Sequence, residues 1–211
     1  MGHSLVSPDL SAIKPHVITP VKLGVLASGS GTNFECVAQA IDRGELQANI
    51  EVVIYNNPEA QVKARAKKWG IPCIFLDHRQ LTPRTRLDQE IVQIMQAHGV
   101  EWVIMAGWMR IVTEVLLTAY PDRVINIHPS LLPSFKGIKA VEQALTSQVK
   151  ITGCTVHLAS LEVDSGKILM QAAVPVYPED NAETLHQRIQ IQEHRIFPAA
   201  IALATASGAH P

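Results

Sequence analysis

The chain has 211 residues, of which 47% are hydrophobic and 18% charged, and its formal net charge at pH 7 is −1. This length allows one substantial hydrophobic core in one or two domains, and the near-zero charge gives no reason to expect nucleic acid or an anionic membrane as partner. Three scattered cysteines without a Cys-x-x-Cys pair, no long apolar run and no signal-peptide pattern predict a soluble cytoplasmic protein without a disulfide scaffold or structural zinc.

The N-terminal part begins irregularly and then alternates between strand and helix patterns. Residues 1–20 contain three prolines and show no period, so we predict a loosely ordered extension. Thr32 and Glu35 fit a capping box, and Thr82 is predicted to cap the helix that starts at Pro83. Strands are predicted over 23–27, 50–55, 73–76, 102–106 and 124–128, and helices from 32, over 60–69, 83–98 and 111–118. This alternation predicts an α/β fold with a doubly wound, mostly parallel sheet.

The alternation of predicted strands and helices ends after residue 128. A loop and a short helix at 140–145 precede two longer strands at 155–158 and 168–174, which form a predicted hairpin joined through Asp164–Gly166. A final helix is predicted over 182–206. We therefore expect one folded domain over 21–211, composed of a Rossmann-like half (21–128) and a C-terminal hairpin with a long helix (129–211).

The segment from Asn126 to Pro133 is the most informative of the chain. It follows a buried strand that Pro129 must end, and Asn126 and His128 point to one face while Ile127 points into the core. The carboxyl end of such a strand borders the ligand crevice of open α/β sheets, so we place His128 at a strand end, outside the core. An amide there can stabilise an oxyanion, and an imidazole can transfer a proton. A strand-end polar cap is the simpler alternative for either residue alone.

The loop Ser28–Asn33 joins the first predicted strand to a helix and is rich in glycine and serine. Its backbone N–H groups and the helix dipole favour a single phosphate group. The dinucleotide fingerprint lacks its third glycine and Walker A lacks its lysine. A tight turn that binds nothing is the alternative.

Other candidates are weaker on their own. Asp164 is an ordinary turn residue unless the fold brings it beside His128, where it would orient the imidazole and favour its charged form. Arg84 and Arg110 fit solvated helix starts. The Glu183/His186 and Glu193/His194 pairs have no second ligand set, so no metal is expected.

Taken together, the motifs of this chain resemble the folate-dependent phosphoribosylglycinamide formyltransferases. The matching segments run in order from about residue 22 to 206. They are Ala27–Asn33, Ala106–Ile111, Asn126–Pro133, Gly153–His157, Asp164–Gly166 and Gln192–His194. A histidine found in some members is replaced by Lys139, and the 1–20 extension has no counterpart.

The resemblance implies a role for each matching position. The catalytic residues would be Asn126, His128 and Asp164. The ribonucleotide would bind to Ser30, Gly31, Thr32, Asn33, Gln190 and Glu193. The folate would bind to Arg84, Met109, Arg110, Ile111, Val112, Asn126, Ser160, Leu161, Glu162, Val163 and Asp164, so that residues 129–211 complete the folate site.

The resemblance also implies a reaction. A formyl group would pass from 10-formyltetrahydrofolate, the co-substrate, to the glycine amine of the ribonucleotide, without a metal, in a monomer or homodimer. A formyltetrahydrofolate hydrolase is one alternative, although it would carry an N-terminal regulatory domain. A methionyl-tRNA formyltransferase would need a basic C-terminal domain. A nucleotide-binding module without activity would not need the Asn126/His128/Asp164 set.

Overall fold

The computed structural model describes residues 5–10 and 19–207, and of Ser207 only the backbone. The strands are β1 (Val6–Ser7), β2 (Val21–Ala27), β3 (Ala48–Tyr55), β4 (Cys73–Phe75), β5 (Trp102–Met105), β6 (Val124–His128), β7 (Ile151–Leu158) and β8 (Ile168–Pro175). The helices are α1 (Thr32–Asp42), α2 (Val62–Lys68), α3 (Arg84–Ala97), α4 (Glu114–Ala119), α5 (Ala140–Thr146) and α6 (Ala182–Ser207). These residues form two compact units that divide between Asn126 and Ile127, two residues before the predicted boundary of the halves.

The unit over 19–126 contains a parallel sheet. Strand β2 pairs with β3 on one side and β5 on the other, β3 continues to β4, and β5 pairs with β6, all in parallel. The central strands are buried on both faces, as the run Leu23–Ala27 illustrates. Continuous apolar runs of this kind are typical of parallel strands covered by helices, so the predicted Rossmann-like half is confirmed.

The unit of the described residues 5–10 and 127–207 contains the hairpin. Strands β7 and β8 pair antiparallel, with Cys154 opposite Ala172, and α6 packs on both. Gly153 lies so close to the facing strand that a Cβ atom there would be 1.9 Å from the Ala172 carbonyl oxygen. The predicted hairpin and long helix are therefore confirmed, and β7 begins four residues earlier than predicted.

Some local predictions were wrong. The N-cap of α1 is Gly31, not Thr32, and the Glu35 carboxylate accepts hydrogen bonds from α2 and Trp69 instead of closing a capping box. The N-cap position of α3 is Pro83, not Thr82, and no side-chain hydrogen bond caps this helix. The fourth helix starts at Glu114 because the Thr113 side chain caps it, accepting from the Val115 N–H.

The described part of the predicted N-terminal extension contains a short strand. Val6 and Ser7 pair antiparallel with Ala172 and Gln171 of β8. A two-residue strand has no periodicity that sequence patterns could detect, and its partner lies far along the chain.

Candidate active site

Strand β6 carries the two residues on which the prediction of chemistry rests. Asn126 is half-buried and His128 is buried, with 6% of its surface exposed. The strand ends at Pro129, and the Ser130 N–H turns back to donate to the His128 carbonyl at 2.9 Å. His128 therefore lies at the strand end, as predicted, but its side chain is buried, because the loop after the strand contacts the imidazole.

Asp164 lies beside His128. Its Oδ2 atom is 3.3 Å from Nδ1 of the imidazole, and both side chains are less than 10% exposed. Asp164 stands in the loop between β7 and β8 with a φ of 52°, a left-handed conformation that aspartate tolerates better than most residues. The hairpin thus brings the carboxylate to the catalytic candidate that precedes it by 36 residues.

The second nitrogen of His128 also faces an oxygen. Nε2 lies 2.8 Å from the backbone carbonyl of Phe135, in the loop that follows β6. A carbonyl oxygen and a carboxylate can only accept, so each ring nitrogen forms a hydrogen bond to its oxygen when it carries a proton. The two oxygens therefore hold the imidazole at both of its ring nitrogens and fix its orientation.

Two further groups hold the Asp164 carboxylate. The Gly137 N–H donates to Oδ2 at 2.8 Å, and His157 Nε2 lies 3.6 Å from Oδ1. Burial opposes the charge of this carboxyl, but the interactions with His157, the Gly137 N–H and His128 together lower the pKa of Asp164 below its ordinary value. The carboxylate is therefore charged at neutral pH and available to orient the imidazole.

His157 was missed as a site residue by the sequence analysis. It is 2% exposed and belongs to β7, where its Nδ1 lies 2.8 Å from the Leu158 carbonyl oxygen. The available signal was its position two residues after Thr155, which places both on one face of the strand. His157 ends the matching segment Gly153–His157, but the spacing of residues in that segment could not show that its side chain faces Asp164.

Thr155 was also missed, and it forms hydrogen bonds with the loop that directly follows β6. Its buried hydroxyl donates to the Ser130 carbonyl at 2.7 Å and accepts from the Leu132 N–H at 3.0 Å and from Gln171 at 2.9 Å. Gln171 also donates to the Leu132 carbonyl at 3.0 Å. This network fixes the course of the chain directly after His128.

The loop Ser28–Asn33 lies in the other unit, between β2 and α1. Gly31 has a φ of 75° and precedes the first residue of α1. The Ser28 hydroxyl accepts from the Met109 N–H at 2.9 Å, which joins the loop to the segment after β5. A glycine-rich turn at the N-terminus of an 11-residue helix has the backbone donors and dipole expected of an anion site.

The remaining predicted residues are divided between the units. Arg84 is the exposed first residue of α3, and the 109–112 segment is a loop in which Met109 and Ile111 are exposed. Residues 160–163 directly precede Asp164 in the loop between β7 and β8, and Lys136 forms an ion pair of 3.1 Å with Glu162. Gln190 is half-buried and Glu193 is buried, one turn apart on α6. Within 5–10 and 19–207, no group of three or more His, Cys, Asp or Glu residues could hold a metal ion.

A buried Asp–His pair is an arrangement suited to acyl-group transfer. The chain belongs to the formyl transferase family, whose model matches residues 21–201. It is 37% identical to the phosphoribosylglycinamide formyltransferase of Bacillus subtilis over 180 residues, which cover 85% of this chain and 92% of that protein. The crystal structure of glycinamide ribonucleotide transformylase 1 from Symbiobacterium toebii is also similar, with a TM-score of 0.87, 42% identity and 89% of each chain covered.

Longer proteins match as well. The trifunctional purine biosynthetic protein adenosine-3 of Gallus gallus is 42% identical over 189 residues, and that of Homo sapiens is 39% identical over 187 residues. The match covers about nine-tenths of this chain but only 19% and 18% of those two proteins. In the part of this chain that the structure describes, no helix has the length and apolar character needed to cross a membrane.

Proposed function

We propose that this chain transfers the formyl group of 10-formyltetrahydrofolate to the glycine amine of 5'-phosphoribosylglycinamide, in purine biosynthesis. The observation that carries the proposal is the buried contact of 3.3 Å between Asp164 Oδ2 and His128 Nδ1, two residues after Asn126 in the strand. Membership of the formyl transferase family supports the nature of the transferred group. The names of the relatives support the acceptor.

Asn126, His128 and Asp164 each have a role in this proposed reaction. The free amine attacks the formyl carbon, a C–N bond forms, and the carbonyl oxygen becomes an oxyanion. The Asn126 amide and the His128 Nε2–H donate to this oxyanion. Nε2 exchanges its contact with the Phe135 carbonyl for the oxyanion, and Asp164 keeps the imidazole in place at Nδ1. The bond from the carbon to N10 of the folate then breaks, N10 gains a proton and the new amide nitrogen loses one.

The other predicted residues serve binding in this proposal. The ribonucleotide phosphate lies on the backbone of Ser30, Gly31, Thr32 and Asn33, and the glycine and ribose portion meets Gln190 and Glu193. Exposed apolar side chains at Met109 and Ile111 are suited to the flat pterin ring. The folate also contacts Arg84, Arg110, Val112, Asn126 and residues 160–164. No residue is assigned to a metal, and the protein acts as a monomer or homodimer in the cytoplasm.

A formyl-transfer assay tests the proposal directly. Purified protein is mixed with 10-formyltetrahydrofolate, with and without the ribonucleotide, and both tetrahydrofolate and formylated ribonucleotide are measured. The expected result is that both products form in equal amounts and only when the ribonucleotide is present. Release of formate at the same rate without the ribonucleotide would identify a hydrolase instead, and absence of any product would refute the proposal.

A further inference from the structure

Helix α2 contacts the loop Ser28–Asn33 through two hydrogen bonds that fix the orientation of the loop backbone. The Arg65 Nε–H donates to the Ser30 carbonyl at 2.8 Å, and the Val62 N–H donates to the Gly29 carbonyl at 3.3 Å. Val62 is the first residue of α2, so its N–H has no partner inside the helix and is available to the loop. Two successive loop carbonyls are thus directed toward α2.

The direction of these carbonyls determines the direction of the next N–H groups. In a planar trans peptide the C=O of one residue and the N–H of the next point in opposite directions. Since the carbonyls of Gly29 and Ser30 point toward α2, the N–H groups of Ser30 and Gly31 point away from it. Successive N–H groups on one side of a turn form a concavity that binds anions.

Arg65 is itself held in place. Its Nη1 atom lies 3.2 Å from Oε2 of Glu35, whose side chain is only 10% exposed. Lys68 Nζ and Trp69 Nε1 donate to the other carboxylate oxygen, at 3.0 and 3.2 Å. The guanidinium is therefore fixed at one end by a buried carboxylate and at the other by the loop, which suits the fork-shaped donor geometry of arginine.

We infer that Arg65, anchored by Glu35, is a positioning residue that sets the direction of the Gly31 N–H and thereby the affinity for the ribonucleotide phosphate. The inference rests on the proposed function, because the loop has to be the phosphate site. An ion pair that only joined α1 to α2 would not need the bond from Nε to Ser30. Arg65 touches neither the substrate nor the reacting atoms in this assignment.

Variants of α2 separate this role from a structural one. Arg65→Met keeps much of the stem and removes all donors, and Arg65→Lys restores a charge and one donor site. Lys68→Gln removes a partner of Glu35 without changing the bond to Ser30. Lys67→Gln removes an exposed charge from the same helix and serves as the control for general electrostatics.

Calorimetric binding of the ribonucleotide, and of inorganic phosphate, is measured for each protein alongside formyl transfer. We expect Arg65→Met to raise the ribonucleotide Kd and KM about tenfold, the effect of one charge-assisted hydrogen bond, with kcat and the folate KM unchanged. Arg65→Lys is expected to be intermediate. Lys67→Gln and Lys68→Gln should bind with wild-type affinity. The Gly31 amide resonance should shift on addition of phosphate in the wild type and much less in Arg65→Met.

These measurements test the positioning role of Arg65 and the proposed formyl transfer separately. Unchanged ribonucleotide affinity in a folded Arg65→Met protein would overturn it, as would an equal loss in Lys67→Gln or Lys68→Gln. Wild-type protein that binds the ribonucleotide through Gly31 but transfers no formyl group would refute the proposed reaction and leave the positioning role supported. Wild-type protein that binds neither the ribonucleotide nor phosphate would overturn both.

Discussion

The Asp164 carboxylate and the His128 imidazole form a buried pair, with 3.3 Å between Oδ2 and Nδ1. We expect Asp164→Asn to lower kcat by on the order of 10²–10⁴, because a neutral amide orients the imidazole less well than the carboxylate does. Steady-state kinetics with both substrates check this, and the KM for the ribonucleotide should stay within about twofold because only the reacting centre changes. Wild-type kcat in the folded variant would remove Asp164 from the mechanism.

His128→Ala is expected to lose most of the turnover, by on the order of 10²–10³, while both substrates still bind. Since the imidazole is buried, the variant should also lose about 1–3 kcal/mol of unfolding free energy. Single-turnover kinetics and urea unfolding measure the two effects. His186→Ala, on the exposed face of α6, is the matched control and should change neither. Turnover near the wild-type value would show that His128 is not catalytic.

His157 faces the Oδ1 atom of Asp164, whereas His128 faces Oδ2, which predicts an indirect effect of His157 on catalysis. His157→Leu should lower kcat about tenfold because the carboxylate loses one of its supporting contacts. His157→Gln can still place an amide donor near Asp164 and should retain most of the turnover. The comparison of kcat for the two variants decides the matter. Equal losses in both would mean that His157 contributes only to packing.

Gly31 and Gly44 both have positive φ, yet they differ in what surrounds them. A Cβ at Gly31 would lie 2.8 Å from the Val62 side chain, whereas at Gly44 nothing lies within 4 Å. Both alanine variants should lose about 1 kcal/mol of stability through backbone strain, and Gly31→Ala more because of the clash. Only Gly31→Ala should raise the KM for the ribonucleotide. If the folate KM rises instead, the loop has been assigned to the wrong ligand.

Asp180 provides a prediction for the dependence of stability on pH. Its side chain is 2% exposed and pairs with Arg188 at 2.6 Å, and the hydrogen bonds from Arg188 lower the pKa of Asp180 far below its ordinary value of 3.8. A depressed carboxyl pKa contributes stability above the unfolded pKa and loses it as the pH falls. The wild type should therefore exceed Asp180→Asn in unfolding free energy at pH 7, and the difference should shrink below about pH 4.

Urea unfolding of both proteins across this range checks the pH prediction, with Glu179→Gln as the control because Glu179 is exposed beside Asp180. A difference between wild type and Asp180→Asn that stays constant down to about pH 2 would contradict the assignment, because protonation of Asp180 would then not weaken the pair. The Glu179→Gln protein should follow the wild type closely at every pH.

The sequence by itself determined most of the strands and helices and indicated which residues would carry the chemistry. Buried parallel strands such as β6 show as continuous apolar runs, and its bounds agree with the prediction because Pro129 must end the ladder. The periodicity of α6 and the glycine-rich turn at Gly31 are local features as well. Asn126 and His128 could be placed together because side chains alternate along a strand.

Only the tertiary structure decided which distant residues meet. Asp164 reaches His128 through the loop between β7 and β8. His157 of β7 and the Gly137 N–H contact Asp164, and the Phe135 carbonyl contacts His128. The same holds for Glu35, which local pattern assigned to a capping box but which α2 engages from 30 residues away. Such contacts depend on how elements pack, and packing leaves no period in the sequence, so they follow from the fold and not from any local motif.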